Sequence, residues 1–112
     1  MRYWTVEEAR EYLPRLRELL DVLQRASVVA GKPRTNGHGL RPGDDPEAAA
    51  AELAASDIVV RDPTVGLVDF AAVGEDDVVY FLCFRLDDAD LAWWHLPEEG
   101  FPGRKPLPRG AS

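Results

Sequence analysis

Apolar positions along the chain follow two periods, and the change between them divides it. From Val6 to about residue 29 they recur every three or four positions. Val6, Leu13 and Leu20 hold one place of a seven-residue repeat, and Ala9, Leu16 and Leu23 hold another, with Leu19 and Val22 widening the stripe. This spacing predicts a long amphipathic helix. Thr5 and Glu8 at its start have the spacing of a capping box, in which each side chain takes the other residue's amide. Trp4, just before the cap, is placed to staple against Ala9. Pro14 removes one amide donor inside the pattern and predicts a kink. Gly31 and Pro33 end the helix. Residues 31–45, dense in Gly, Pro and Asn, read as a flexible loop. Asp45 as cap, Pro46 in the first turn and Glu47 after it then start a short alanine-rich helix over 46–56.

After Ser56 the period becomes 2. DIVV, LVDFAAV, VVYFLCFRL and LAWWHL read as four short strands, separated by the turn sequences RDPTVG, GEDD and DDAD. In the first turn, Pro63 suits a central position and Gly66 supplies a positive φ. The pattern predicts one α+β domain over residues 1–112, a helical hairpin packed on a four-stranded antiparallel β-meander. The third strand is apolar on both sides, so it is central and needs cover on both faces. The helices cover one. The tail from Pro97 onward, interrupted by Pro102, Pro106 and Pro108, cannot be helical. It is expected to run extended over the other face or an edge, with Phe101 and Leu107 as plugs.

Composition narrows the function classes. A chain of 112 residues with 46% hydrophobic and 29% charged residues is long enough to bury a core without metal or disulfide support. No apolar run approaches the roughly 20 residues that span a bilayer, and MRYWTVEEAR has no signal-peptide core. The expectation is a cytoplasmic protein with no membrane partner. A net charge of −7 argues against nucleic acid as a partner, because phosphate binding draws on Lys and Arg. With one cysteine, Cys83, neither an intramolecular disulfide nor a zinc site built of cysteines is available.

Strand parity collects the chemistry. On the third strand Val79, Phe81, Cys83 and Arg85 share one face, while Val78, Tyr80, Leu82, Phe84 and Leu86 share the face toward the helices. Hairpins without bulges place Asp69 and His95 beside Phe81 on the first face, with Cys83 and Arg85 close by. A one-residue slip would undo the grouping. Asp69, Arg85 and His95 are thus the candidate ligand-binding residues. Arg85 can hold a carboxylate or phosphate, His95 can donate a proton, and Asp69 can fix its tautomer. Read structurally, Asp69 and Arg85 are an ion pair and His95 donates to a carbonyl of the tail.

Cys83 lies inside a strand with no nucleophile motif around it and reads as an inert core thiol. Asp69, Cys83 and His95 could hold a metal on ligand type, without support from any close-spaced ligand pair. Arg104, in GFPGRKP, joins the candidate binding residues as part of an anion grip, the other reading being a turn with a solvated cation. Trp93 and Trp94 point to opposite faces, one expected in the core. His38 falls in the loop, and the acids of GEDD and DDAD lack calcium-loop spacing. No cofactor and no catalytic residue is assigned.

TVEEAREYLPRL, VRDPTVGLVDF, YFLCFRL, WWH and GFPGRKPL, in that order, resemble the bacterial family called domain of unknown function 2203. The resemblance spans nearly the whole chain apart from 31–45. The family pattern carries Trp at Phe84 and commonly Ala and Gln at Pro102 and Lys105. It implies a small cytoplasmic bacterial protein with one coherent fold, and carries over no catalytic residue.

Two functional classes follow. The first is a non-enzymatic binding or assembly module, self-associating as a homo-oligomer through the long helix, whose stripe extends roughly two turns beyond what the second helix covers. The second is a small-molecule or anion-binding protein, an enzyme or metal-binding protein included, using Asp69, Arg85, His95 and Arg104. The first asks less of the residues.

Overall fold

The computed structural model describes residues 2–30 and 44–108. Helix α1 (Val6–Ala30) opens on the encoded capping box, with the Glu8 amide donating to Thr5 Oγ1 and the Thr5 amide to Glu8 Oε1, both at 3.0 Å. The helix stays unbroken through Pro14, which lies on its exposed side. Helix α2 (Pro46–Ala55) is capped by Asp45, whose carboxylate accepts from the Ala48 amide at 3.1 Å. The two helices meet through Arg15, which forks onto Glu52 at 2.7 and 2.8 Å, and through the Tyr12 hydroxyl on the same carboxylate. Residues 31–43, most of the expected loop, and His38 with them, lie outside the described residues.

The sheet is antiparallel with its strands in chain order: β1 (Ile58–Asp62), β2 (Leu67–Val73), β3 (Val79–Phe84), β4 (Trp93–His95) and β5 (Lys105–Pro106). The sequence pattern predicts four strands, and the fifth comes from the tail. Gly100, at φ 66, starts a 3-10 turn over Phe101–Gly103 that sends Lys105 and Pro106 back along the outer edge of β4. A proline is tolerated there because an edge strand leaves one row of donors unused. The tail therefore covers the edge, and only its first part, through Phe101, reaches over the face remote from the helices. At the β1–β2 turn Gly66 has φ 65, and a Cβ on it would stand 2.6 Å from Leu86 Cβ.

The core lies between the helices and one face of the sheet. Val68 and Phe70 of β2 and Leu82 and Phe84 of β3 pack with Leu16 and Leu20 of α1 and Leu53 of α2, all fully buried. Each large side chain there contributes roughly 1.5–3 kcal/mol by leaving water. Trp4 is the core tryptophan, set edge-on to Phe70 at 5.1 Å. Neither member of the tandem pair takes that role. Both are half-buried near the sheet edge, Trp94 against Tyr80 and Trp93 beneath Arg104.

The stripe of α1 is also better covered than its length suggests. Leu19 and Leu20 are buried, and Val22 and Leu23 pack against the same cluster. Val22 and Leu23, beyond the reach of α2, are partly buried against this core. No helix among the described residues is long and apolar enough to cross a membrane.

Candidate functional site

The register decides what meets on the other face of the sheet. Asp69 pairs with Cys83 and Ala71 with Phe81 across β2 and β3, while Phe81 pairs with His95 and Cys83 with Trp93 across β3 and β4. Asp69 is thus displaced by two residues from Phe81, its expected neighbour. A two-residue displacement preserves the face. Asp69 and His95, from the strands on either side of β3, reach across it, and His95 Nε2 lies 2.9 Å from Asp69 Oδ1.

Both partners are almost completely enclosed, their side chains 2% and 3% exposed for His95 and Asp69. His95 Nδ1 lies 2.8 Å from the Leu96 carbonyl oxygen. That oxygen can only accept, so Nδ1 carries a hydrogen and Nε2 is the atom presented to the carboxylate. The second carboxylate oxygen, Oδ2, accepts from Arg61 Nε at 2.8 Å. Arg61 occupies the bulge of β1, between the Val60–Val68 and Asp62–Leu67 pairs, and its guanidinium lies 5.3 Å from the Phe81 ring centroid. Its side chain is 45% exposed.

Cys83 completes the group. One ligand atom from each of Asp69, Cys83 and His95 lies within 4.8 Å of the other two, and all three residues are buried. Burial first, and the Asp69 charge second, push the Cys83 thiol up to about 11, against the pull of the Arg104 guanidinium 3.8 Å from its sulfur. A thiol pushed up in this way keeps its proton at neutral pH and is a poor nucleophile.

These three side chains form the floor of a cleft of about 280 Å³. Leu67, Pro97 and Phe101 make apolar walls, with Gly100 beside them and Arg61 at the rim. The wall from Pro97 to Phe101 is held by Glu99, which accepts from the Leu96 amide at 3.0 Å and from the Lys105 ammonium. Lys105 and then that amide hold the Glu99 carboxyl below the usual range.

The two other expected arginines stand elsewhere. β3 ends at Phe84, so strand parity no longer directs Arg85. Its amide donates to Asp88 at 2.9 Å and its Nε to Asp87 at 2.6 Å, at a half-buried position beside Phe101. The arginine paired with Asp69 is Arg61. Arg104 forks onto Asp88 at 3.0 and 3.3 Å, between the rings of Trp93 and Phe101. The expected anion grip is thus filled by a carboxylate of the chain itself. Arg61 and Asp88 are the residues that sequence reasoning missed. Arg61 is the bulge residue of β1, with no partner of its own on β2, so alternation alone does not announce it.

The family model described as "Uncharacterized conserved protein (DUF2203)" matches residues 43–107, more than half of the chain, and the chain belongs to that family. No curated protein and no solved structure matches it.

Proposed function

We propose that this member of the DUF2203 family is a small-ligand-binding protein, and that its ligand enters the cleft above Asp69 and His95 with a carboxylate or phosphate directed at Arg61. The observation that carries this reading is a cation at the rim of an apolar-walled cleft whose floor is a buried acid–imidazole pair. Binding sites for small molecules commonly combine apolar walls with a few convergent polar groups. Arg61 engages Asp69 through Nε, and its half-exposed side chain leaves the terminal nitrogens within reach of an entering anion. Phe101 and Leu67 offer apolar contact to the rest of the ligand. Arg85 and Arg104 are engaged by Asp87 and Asp88 and do not line the cleft. With the thiol protonated, binding fits the site better than nucleophilic catalysis.

The helices and the sheet share one core, so we read the chain as a single domain. Val22 and Leu23 are partly buried against that core, which leaves a smaller apolar stripe on α1 for the self-association also expected of it.

Amide NMR shifts measured against inorganic phosphate, acetate and succinate test the reading. Shifts at residues 61, 69, 95 and 100–101 are expected, absent in Arg61→Ala and retained in Arg85→Ala. No shift in the cleft with any of the three anions, or shifts that survive Arg61→Ala, would overturn it.

A further inference from the structure

The floor of the cleft contains more coordinating chemistry than an anion at its rim requires. A carboxylate, a thiol and an imidazole converge from three adjacent strands, each on a rigid element, all buried, and all on one face. No local spacing announces such a group, because each residue comes from a different strand. The imidazole and the carboxylate each present one atom inward while another partner holds the rest of the group. The Leu96 carbonyl takes the Nδ1 hydrogen and leaves Nε2 inward, and Arg61 takes Oδ2 and leaves Oδ1 inward. Metal-binding imidazoles and carboxylates are oriented by outer partners of this kind.

We propose that Asp69 Oδ1, Cys83 Sγ and His95 Nε2 form a mononuclear site for a divalent transition metal of the zinc type. Bond lengths of about 2.0–2.3 Å around a tetrahedral ion put neighbouring ligand atoms roughly 3.2–3.8 Å apart. The 2.9 Å separation of Nε2 and Oδ1 has to open by a few tenths of an ångström, and the widest separation, within 4.8 Å, has to close by about 1 Å. Side-chain rotation on a fixed sheet supplies both. The mixed oxygen, sulfur and nitrogen set suits zinc, cobalt or a similar ion better than magnesium or calcium. As the metal–sulfur bond forms, the thiol proton leaves to solvent, and so does the proton shared by Nε2 and Oδ1, whose place the ion takes. The Arg61 and Leu96 contacts use other atoms and persist. The charge of Arg104 near the sulfur is offset by its fork onto Asp88. Three protein ligands leave a fourth position facing the cleft, the arrangement of a site that takes water or an exogenous ligand.

The metal shares the cleft with the anion reading but does not require it. The test is a cobalt(II) titration of the chelator-treated full chain followed by absorption. A near-ultraviolet thiolate-to-cobalt band saturating at one ion per chain is expected, with visible bands of tetrahedral intensity. The chain has a single cysteine, so a thiolate band from folded protein reports Cys83 without any variant. Cys83→Ser should lose that band. Asp69→Asn and His95→Gln should each weaken cobalt binding by at least about tenfold, and His38→Gln should leave it unchanged. A folded wild-type chain that shows no thiolate band under saturating cobalt overturns the metal site, as does a band that persists in Cys83→Ser. Anion-induced shifts that persist in that case leave the anion reading standing. A cobalt band without anion-induced shifts removes only the anion reading.

Discussion

The two faces of β3 are one residue apart in sequence and differ in what burial accomplishes. Leu82 and Phe84 point toward the helices and join a cluster of apolar side chains. Phe81 and Cys83 point the other way, to a buried acid–imidazole pair under a short wall of tail. On the helix side every buried group gains by leaving water. On the other side Asp69 and His95 give up hydration, and a buried acid–base pair in such a place is often no more stabilising than apolar residues of similar volume. Fold stability therefore explains Phe84 and does not explain His95. The polar face is where a ligand would repay the desolvation.

The largest expected effect is on the helix side. Phe84→Ala should lose about 3–5 kcal/mol in urea unfolding through lost transfer energy and a cavity. On the polar side His95→Ala alone should lose about 3 kcal/mol, because Asp69 stays buried without its imidazole partner. The joint change Asp69→Leu with His95→Leu should recover most of this, to within about 1 kcal/mol of wild type. A double variant as unstable as Phe84→Ala would erase the distinction between the faces. Thr5→Ala removes the α1 cap and should cost about 1 kcal/mol while leaving cleft amide shifts unmoved.

The smallest effect concerns the cleft wall and pH. The Glu99 carboxyl is held below its ordinary 4.5 by Lys105 and the Leu96 amide. A depressed folded value contributes stability above the unfolded value and loses it as pH falls through the folded one. Melting midpoints followed from about pH 6 to about pH 3 should therefore fall further in wild type than in Glu99→Gln. Equal falls would remove Glu99 from the support of the wall.

Much of the helix side was legible because its signals are local. The capping box, the Asp45 cap, the Gly66 turn and the alternation along β3 depend on residues a few positions apart. The sharing of one face by Asp69, Cys83 and His95 was legible too, since parity survives the two-residue displacement of β2 against β3. What failed depended on geometry that no short window contains. Arg85 lies one residue past the end of β3, where alternation ceases, and the bulge in β1 supplies Arg61 in its place. The fifth strand is a product of the turn at Gly100, and its two residues carry no strand pattern. The coverage of Val22 and Leu23 depends on how α1 lies over the sheet, which periodicity alone does not encode.

Equilibrium urea unfolding with and without zinc, in wild type and in the Asp69→Leu/His95→Leu double variant, tests most directly whether the polar face serves a ligand. Zinc at about 100 times its dissociation constant should stabilise wild type by about 2.7 kcal/mol and leave the double variant, itself close to wild type without metal, unmoved. No zinc effect on wild type, together with a double variant that unfolds as readily as Phe84→Ala, would mean that Asp69 and His95 are there to hold the fold together.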